Sequence, residues 1–333
     1  GAHKADIVVA DAGDPASVAM LAGKARVIAT TVGPYQLYGS PLVAACAAAG
    51  TDYVDLCGEP AWMRQMIDAH DVEAKKSGAR IVFSCGFDSI PFDLGVLFLQ
   101  NEARRHFDAP CVEVKTRVRA MRGKFSGGTA ASFKATMAAA FKDPKVIEML
   151  KSPFGLTPGF EGPRQPSISK PMEEDGVWMA PFIMAPINTK NVHRSNMLLG
   201  FPYGRDFLYG EMMMAGPGAR GEQAAQMIAA ADASLMGEDA PKPGEGPTKE
   251  ERDAGHYDIL FIGRTADGRT IKASVKGDKD PGYGSTSKML TEAALCLLKE
   301  KRGPGGVFTP AAAMGAPLIG RLADAGLVFA LED

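Results

Sequence analysis

Residues 27–93 carry a pattern with few structural solutions: a short apolar run, a tight turn and a helical stretch, three times over. Residues 27–32 (VIATTV) are apolar and β-branched and stop at Gly33-Pro34, after which 41–49 reads as a small-residue helix closed by Gly50. Residues 53–56 form the second run, followed by Cys57-Gly58-Glu59-Pro60 and a helical stretch to about residue 76 that ends at Gly78. Residues 80–85 are the third run, ending in Gly86. Strand, turn and helix in this order, with short connections, predict a parallel sheet with crossover helices. Ligands of such sheets bind beyond the carboxyl ends of the strands. The least ordinary residues of the block fall there: Thr31, Val32, Gly33, Pro34 and Tyr35; Cys57, Gly58 and Glu59; Gly86, Phe87, Asp88 and Ser89.

The flanks of this block set its limits. Residues 7–10 (IVVA) read as a strand ending at Asp11. That acid is either at the adenine end of a nucleotide site or an N-cap for the turn that follows. A dinucleotide-binding unit opens with a strand, a glycine-rich turn and a helix. Nothing of that kind precedes Ile7, so the expectation is that the chain as given lacks its true beginning. The one GxGxxG match, Gly216 to Gly221, leads into a Pro/Gly-rich linker over 239–247 instead of a strand-end acid, and reads as a surface loop before a helix.

A chain of 333 residues is long enough for two cores. Beyond a helix from Phe92 to about residue 105, residues 111–119 alternate Val112, Val114, Thr116 and Val118 with charged positions, as a half-buried strand does. Two alternating runs around Asp267-Gly268 predict a hairpin. Residues 188–195 read as a polar turn, 303–308 as a loop, 310–325 as a helix and 327–331 as a closing strand. The fold class expected is therefore α/β, an N-terminally incomplete Rossmann-like parallel sheet plus a second α+β domain with an antiparallel sheet. The divisions expected are 1–108 for the first domain, 109–290 for the second, and 291–333 returning to the first.

Composition excludes several functions. A net charge of −2 gives no footprint for nucleic acid. No apolar run approaches the roughly 18–20 residues that span a bilayer. Five cysteines without a CxxC pair suggest buried thiols in a reducing compartment, with no metal site, and a cytoplasmic protein is expected.

Each candidate residue has a plainer alternative. Gly33 lets backbone approach a ligand and Pro34 fixes the turn, whether or not a ligand is there. Tyr35 and Tyr38 can donate protons near a reacting centre or simply wall a cleft. Glu59 is an acid, base or substrate anchor, or a carboxylate favoured by the helix that begins at Pro60. Cys57 lacks a histidine partner, which argues against a nucleophile. Asp88 or Ser89 caps the helix starting near Pro91, and that N-terminus also offers amides to an anion or carboxamide. The turns Ser126-Gly127-Gly128-Thr129 and 280–285 line a substrate cleft or only turn the chain, and His193 and Arg194 hold a carbonyl or carboxylate or sit at a hairpin tip. Twelve of the 17 methionines lie between Met121 and Met236, which suits an irregular apolar ligand or ordinary core filling.

Taken in order, TTVGPYQLYGSPLVAACAAAGTDYVDLCGEP, CGFDSIPFDLG, FSGGT, FIMAPINT, DPGY and FTPAAAMG resemble the saccharopine dehydrogenase-like oxidoreductases, in particular the bacterial trans-acting enoyl reductases, over nearly the whole chain. The resemblance implies a Rossmann domain binding NADP or NAD and hydride transfer to an acyl or enoyl lipid or polyketide-type intermediate in the cleft between domains. It also implies a small-molecule or acyl substrate, with a carrier protein and a homo-oligomer as options. The alternatives are a saccharopine-type amino-acid dehydrogenase and a non-catalytic lipid- or protein-binding member. The candidate cofactor-binding residues are Asp11, Thr31, Val32, Gly33, Pro34, Tyr35, Cys57, Gly58, Gly86, Phe87 and Asp88; the candidate catalytic residues are Tyr35 and Glu59. The GATGFTG-like phosphate loop of the family has no counterpart at any position of this chain.

Overall fold

The computed structural model describes residues 6–333 apart from 125, 168, 232–240, 243 and 301–302. The chain begins with α1 (Pro15–Lys24), β1 (Val27–Ala29), α2 (Tyr35–Tyr38), α3 (Ser40–Ala49), β2 (Asp52–Val54), α4 (Pro60–Ser77), β3 (Arg80–Val82) and α5 (Ile90–Phe107). It continues through β4 (Cys111–Arg122), α6 (Gly127–Lys142), α7 (Pro144–Lys151), β5 (Met172–Glu174), β6 (Val177–Pro181), α8 (Ala185–Leu198), β7 (Leu208–Pro217) and α9 (Gly218–Ala231). The last part holds α10 (Lys249–Asp253), β8 (His256–Thr265), β9 (Thr270–Gly277), α11 (Thr286–Lys299), β10 (Gly306–Phe308), α12 (Pro310–Asp324) and β11 (Val328–Glu332).

Two sheets result. One is four-stranded and parallel, in the order β1-β2-β3-β10. The other has seven strands in the order β11-β9-β8-β4-β7-β6-β5. The predicted antiparallel character of the second sheet holds with one exception, since β4 and β7 run parallel. The C-terminal part of the chain serves both sheets: β10 adds to β3 and β11 to β9.

The helices of the first sheet stop where the sequence supplies a residue for a left-handed turn. Gly50 ends α3 at φ 72° and Gly78 ends α4 at φ 82°, after Lys75 and Lys76 in its last turn. Asp108 ends α5 in the same conformation. The first half of the α5 helix is buried all round and packs against the second sheet, where Gly95 leaves room for the Phe261 ring. Added at Gly95, a Cβ would sit 2.2 Å from that ring, so the contact between sheet and helix depends on its absence.

Four sequence expectations are corrected. Ile7 and Val9, 92% and 89% exposed, form no strand: an apolar run becomes one only by pairing, and β1 is the edge of the parallel sheet. Residues 188–195 are not a polar turn but the middle of α8, a buried helix in which Asn188, Asn191, Arg194 and Ser195 bond to residues of both sheets' elements and connections. Residues 306–308, expected in a loop, add a strand to the parallel sheet. The GxGxxG segment is not a surface loop, because β7 passes straight into α9, and a Cβ on Gly221 would strike the Gly216 carbonyl at 1.9 Å. Residues 239, 240 and 243 of the expected linker over 239–247 lie outside the described residues.

Candidate active site

A cleft of about 830 Å³ opens beyond the carboxyl ends of the parallel strands. Thr31, Gly33 and Tyr35 line it after β1, Leu56 and Gly58 after β2, and Asp88 after β3. The opposite wall comes from the second sheet's helices and turns: Ser126, Gly128 and Thr129 at the start of α6, Phe133 and Met137 along it, Met184 before α8, and Tyr283, Thr286 and Ser287 around the start of α11. Both glycine-rich turns that the sequence left open between cleft and plain turn are therefore at the cleft.

The turns are held by carboxylates. Asp55 accepts bonds from the Cys57 and Ser84 amides at 3.0 and 2.9 Å and from the Tyr53 hydroxyl at 2.9 Å, which fixes the ends of β2 and β3 relative to each other. Burial pushes its carboxyl up to about 7, against the pull of these donors. Glu59 does not line the cleft. Its carboxylate accepts from the Tyr35 and Gln36 amides at 2.9 and 2.8 Å and from Ser132 Oγ at 2.7 Å. It thereby satisfies the free N–H groups of α2, whose own N-cap Pro34 offers no side-chain oxygen, and ties α6 across the cleft. Gln36 Nε2 reinforces the tie through Thr136 Oγ1 at 3.2 Å.

Tyr35 contributes its ring to the wall, but its hydroxyl is spent on the sheet. It accepts from the Leu56 amide at 3.1 Å and donates to the Thr30 carbonyl at 3.3 Å, bridging the ends of β1 and β2. Burial, reinforced by Asp55, raises its pKa far above the ordinary value, which makes it a poor proton donor. Cys57 is fully buried, its thiol raised by burial, and its sulfur accepts the Glu59 amide. Gly86 and Phe87 sit behind the cleft. A Cβ on Gly86 would press on Leu56 at 3.1 Å, and the Phe87 ring packs 4.8 Å from that of Tyr257. Asp11 is away from the cleft and closes an Asx turn to the Gly13 amide at 2.8 Å, while Asp14 caps α1. Val32 and Pro34 belong to the β1–α2 connection without lining the cleft, and Val32 is exposed.

Asp88 stands apart. Its carboxyl faces the cleft, no hydrogen bond or ion pair within the described residues engages it, and burial pushes it up to about 6. The floor in front of it is bare: a Cβ on Gly58 would lie 3.9 Å from Asp88 Oδ2 and 4.0 Å from Met184 Cε. At Gly33 a Cβ would meet only the Tyr35 ring and backbone, from 3.5 Å. Two glycines and an unpartnered carboxyl form a cradle that a flat polar ring fits. His193 and Arg194 lie outside it, buried within α8, with Arg194 bonded to the Leu156 and Val307 carbonyls at 2.7 Å each. Sequence reasoning missed Asp55, a strand-end acid whose signal is its position before Cys57-Gly58, and the methionines Met137 and Met184, which only their density hinted at.

No protein-family profile matches the chain. Among curated proteins, one from Mycobacterium tuberculosis, provisionally named a trans-acting enoyl reductase, is 42% identical over 349 residues, covering 96% of this chain and 83% of that one. The trans-acting enoyl reductase of Mycobacterium ulcerans is 38% identical, covering 97% and 84%. Among solved structures, the apo saccharopine dehydrogenase (L-Glu forming) of Saccharomyces cerevisiae superposes with a TM-score of 0.51 at 12% identity, over 97% of this chain and 88% of that one, a likeness of fold. The chain belongs to the family of the trans-acting enoyl reductases.

Proposed function

We propose that the protein is a nicotinamide-dependent reductase that saturates the carbon–carbon double bond of an acyl substrate in this cleft. The observation that carries the reading is the partnerless Asp88 carboxyl beside the bare floor at Gly33 and Gly58. A bound nicotinamide supplies the hydride. Thr31, Gly33, Tyr35 and Gly58 would hold its nicotinamide end. Asp88, its carboxyl raised to about 6, holds at a carboxyl oxygen, in its acid form, the proton that the second alkene carbon takes up. Phe133, Met137 and Met184 exclude water and accept an apolar chain.

Charge favours this over an amino-acid dehydrogenase. Among the described lining residues Lys151 alone is basic and Asp88 alone acidic, whereas a multiply charged amino-acid substrate needs several cations around it. The names of the curated relatives point the same way, to a reductase of enoyl groups.

Titration with NADPH and with NADH, followed by nicotinamide fluorescence, tests the cofactor part. Gly58→Leu fills the floor of the cleft and is expected to weaken binding by about tenfold or more, one bulky group in a close contact being worth over 1.4 kcal/mol. Unchanged affinity in a folded variant removes Gly58 from the site.

A further inference from the structure

A second cavity, of about 940 Å³, adjoins the cleft, and Leu150, Lys151 and Pro186 line both. Its wall is largely apolar, from Leu150, Pro153, Phe154 and several prolines. Lys190 of α8 lies in that wall, 1% exposed. Its ammonium donates to the carbonyls of Leu150 at 2.9 Å and Pro186 at 3.0 Å. An ammonium has three N–H groups, and no acceptor within the described residues takes the third. No carboxylate is paired with it either: burial alone accounts for its lowered pKa, about 8. The neighbouring Thr189 hydroxyl, on a residue 5% exposed, also lines the cavity and has no partner among the described residues. The packing admits this lysine deliberately. Gly155 has no side chain where one would collide with Met149 Sδ at 2.4 Å and press on Lys190 Cε at 3.4 Å.

A buried cation without a counter-charge, next to an unsatisfied hydroxyl, costs stability unless a ligand completes it. The mouth carries Lys151 and Arg164 against Glu148 and Glu161, all exposed, so the field inside is set by Lys190. We propose that this cavity is a subsite for the oxyanion end of a chain-like ligand, its alkyl part lying along the apolar wall toward the cleft, with Lys190 and Thr189 meeting the oxyanion. Only the link to the cleft rests on the reductase reading.

The test is calorimetric titration of the wild-type protein with decanoate and, separately, with inorganic phosphate. Decanoate is expected to bind, to bind more tightly than phosphate, and to lose about tenfold or more in Lys190→Met, as a charge-assisted hydrogen bond is worth. Thr189→Val, nearly isosteric, is expected to lose a few-fold and keeps the test open should Lys190→Met not fold. Decanoate affinity unchanged in both variants overturns the proposal, and phosphate binding as tightly as decanoate overturns its chain part. NADPH affinity is expected to be the same in wild type and both variants. Loss of NADPH binding by the wild type itself would refute the reductase reading and leave the decanoate result standing.

Discussion

Asp88 and Glu59 sit on neighbouring strand ends and have opposite fates. Three donors engage the Glu59 carboxylate, which builds the turn; none engages Asp88, which faces the cleft. A residue without internal work is the one available for chemistry. Asp88→Asn keeps the volume and loses the proton, so turnover is expected to fall by about 100-fold or more with cofactor affinity little changed. The pH profile follows from burial. With the carboxyl at about 6, the proton-bearing form is present below that value and lost above it. The wild-type rate should therefore decline as pH rises through about 6, and the residual rate of Asp88→Asn should lack that step. A step that survives in Asp88→Asn places the proton elsewhere.

At the scale of elements, α8 decides how the sheets are joined. Asn188 donates to Glu211 on β7 at 2.8 Å, Asn191 to Ser89 before α5 at 2.7 Å, and Ser195 to Asp93 on α5 at 2.6 Å. Arg194 reaches the carbonyls of Leu156 and of Val307 on β10. Arg194→Met leaves both carbonyls without this donor and is expected to cost about 2–4 kcal/mol, read as a lower urea midpoint. No change in midpoint would mean that water replaces the guanidinium. This helix also marks the limit of what the sequence disclosed. Residues 188–195 look like a solvated turn because polarity is normally exposed, and only the partners brought by β7, α5 and β10 make it a buried helix. The three strand–turn–helix units were legible because each carries its own stop, Gly50 and Gly78 among them. Five candidate residues, Thr31, Gly33, Tyr35, Gly58 and Asp88, meet at the cleft. Cys57 and Phe87 do not, because strand-end position says where a residue is and not which way its side chain turns; Asp11 does not because residues 7–10 form no strand, and Gly86 packs behind the cleft near Leu56.

Across the whole molecule, buried acids couple stability to pH. Burial pushes Asp55 and Asp93 up to about 7 and Glu211 up to about 8. Their folded pKa values exceed those of the unfolded chain, so between about pH 4 and pH 8 the folded state binds more protons. Stability from these groups is fully present below that window and falls as pH rises through it. Urea midpoints should therefore drop from about pH 5 to about pH 8, by roughly 1 kcal/mol or more per group. Glu211→Gln should flatten the decline, and a rising midpoint would contradict it.

Hydride delivery to an alkene in the cleft beside Asp88 leaves a mark on the product. The direct measurement is mass spectrometry of a 2-enoyl thioester incubated with the protein and NADPH or NADH deuterated at the transferring carbon. A saturated product carrying one deuterium on the carbon β to the carbonyl is expected, with little product from Asp88→Asn. Unreacted thioester from a protein that demonstrably binds the cofactor would contradict it.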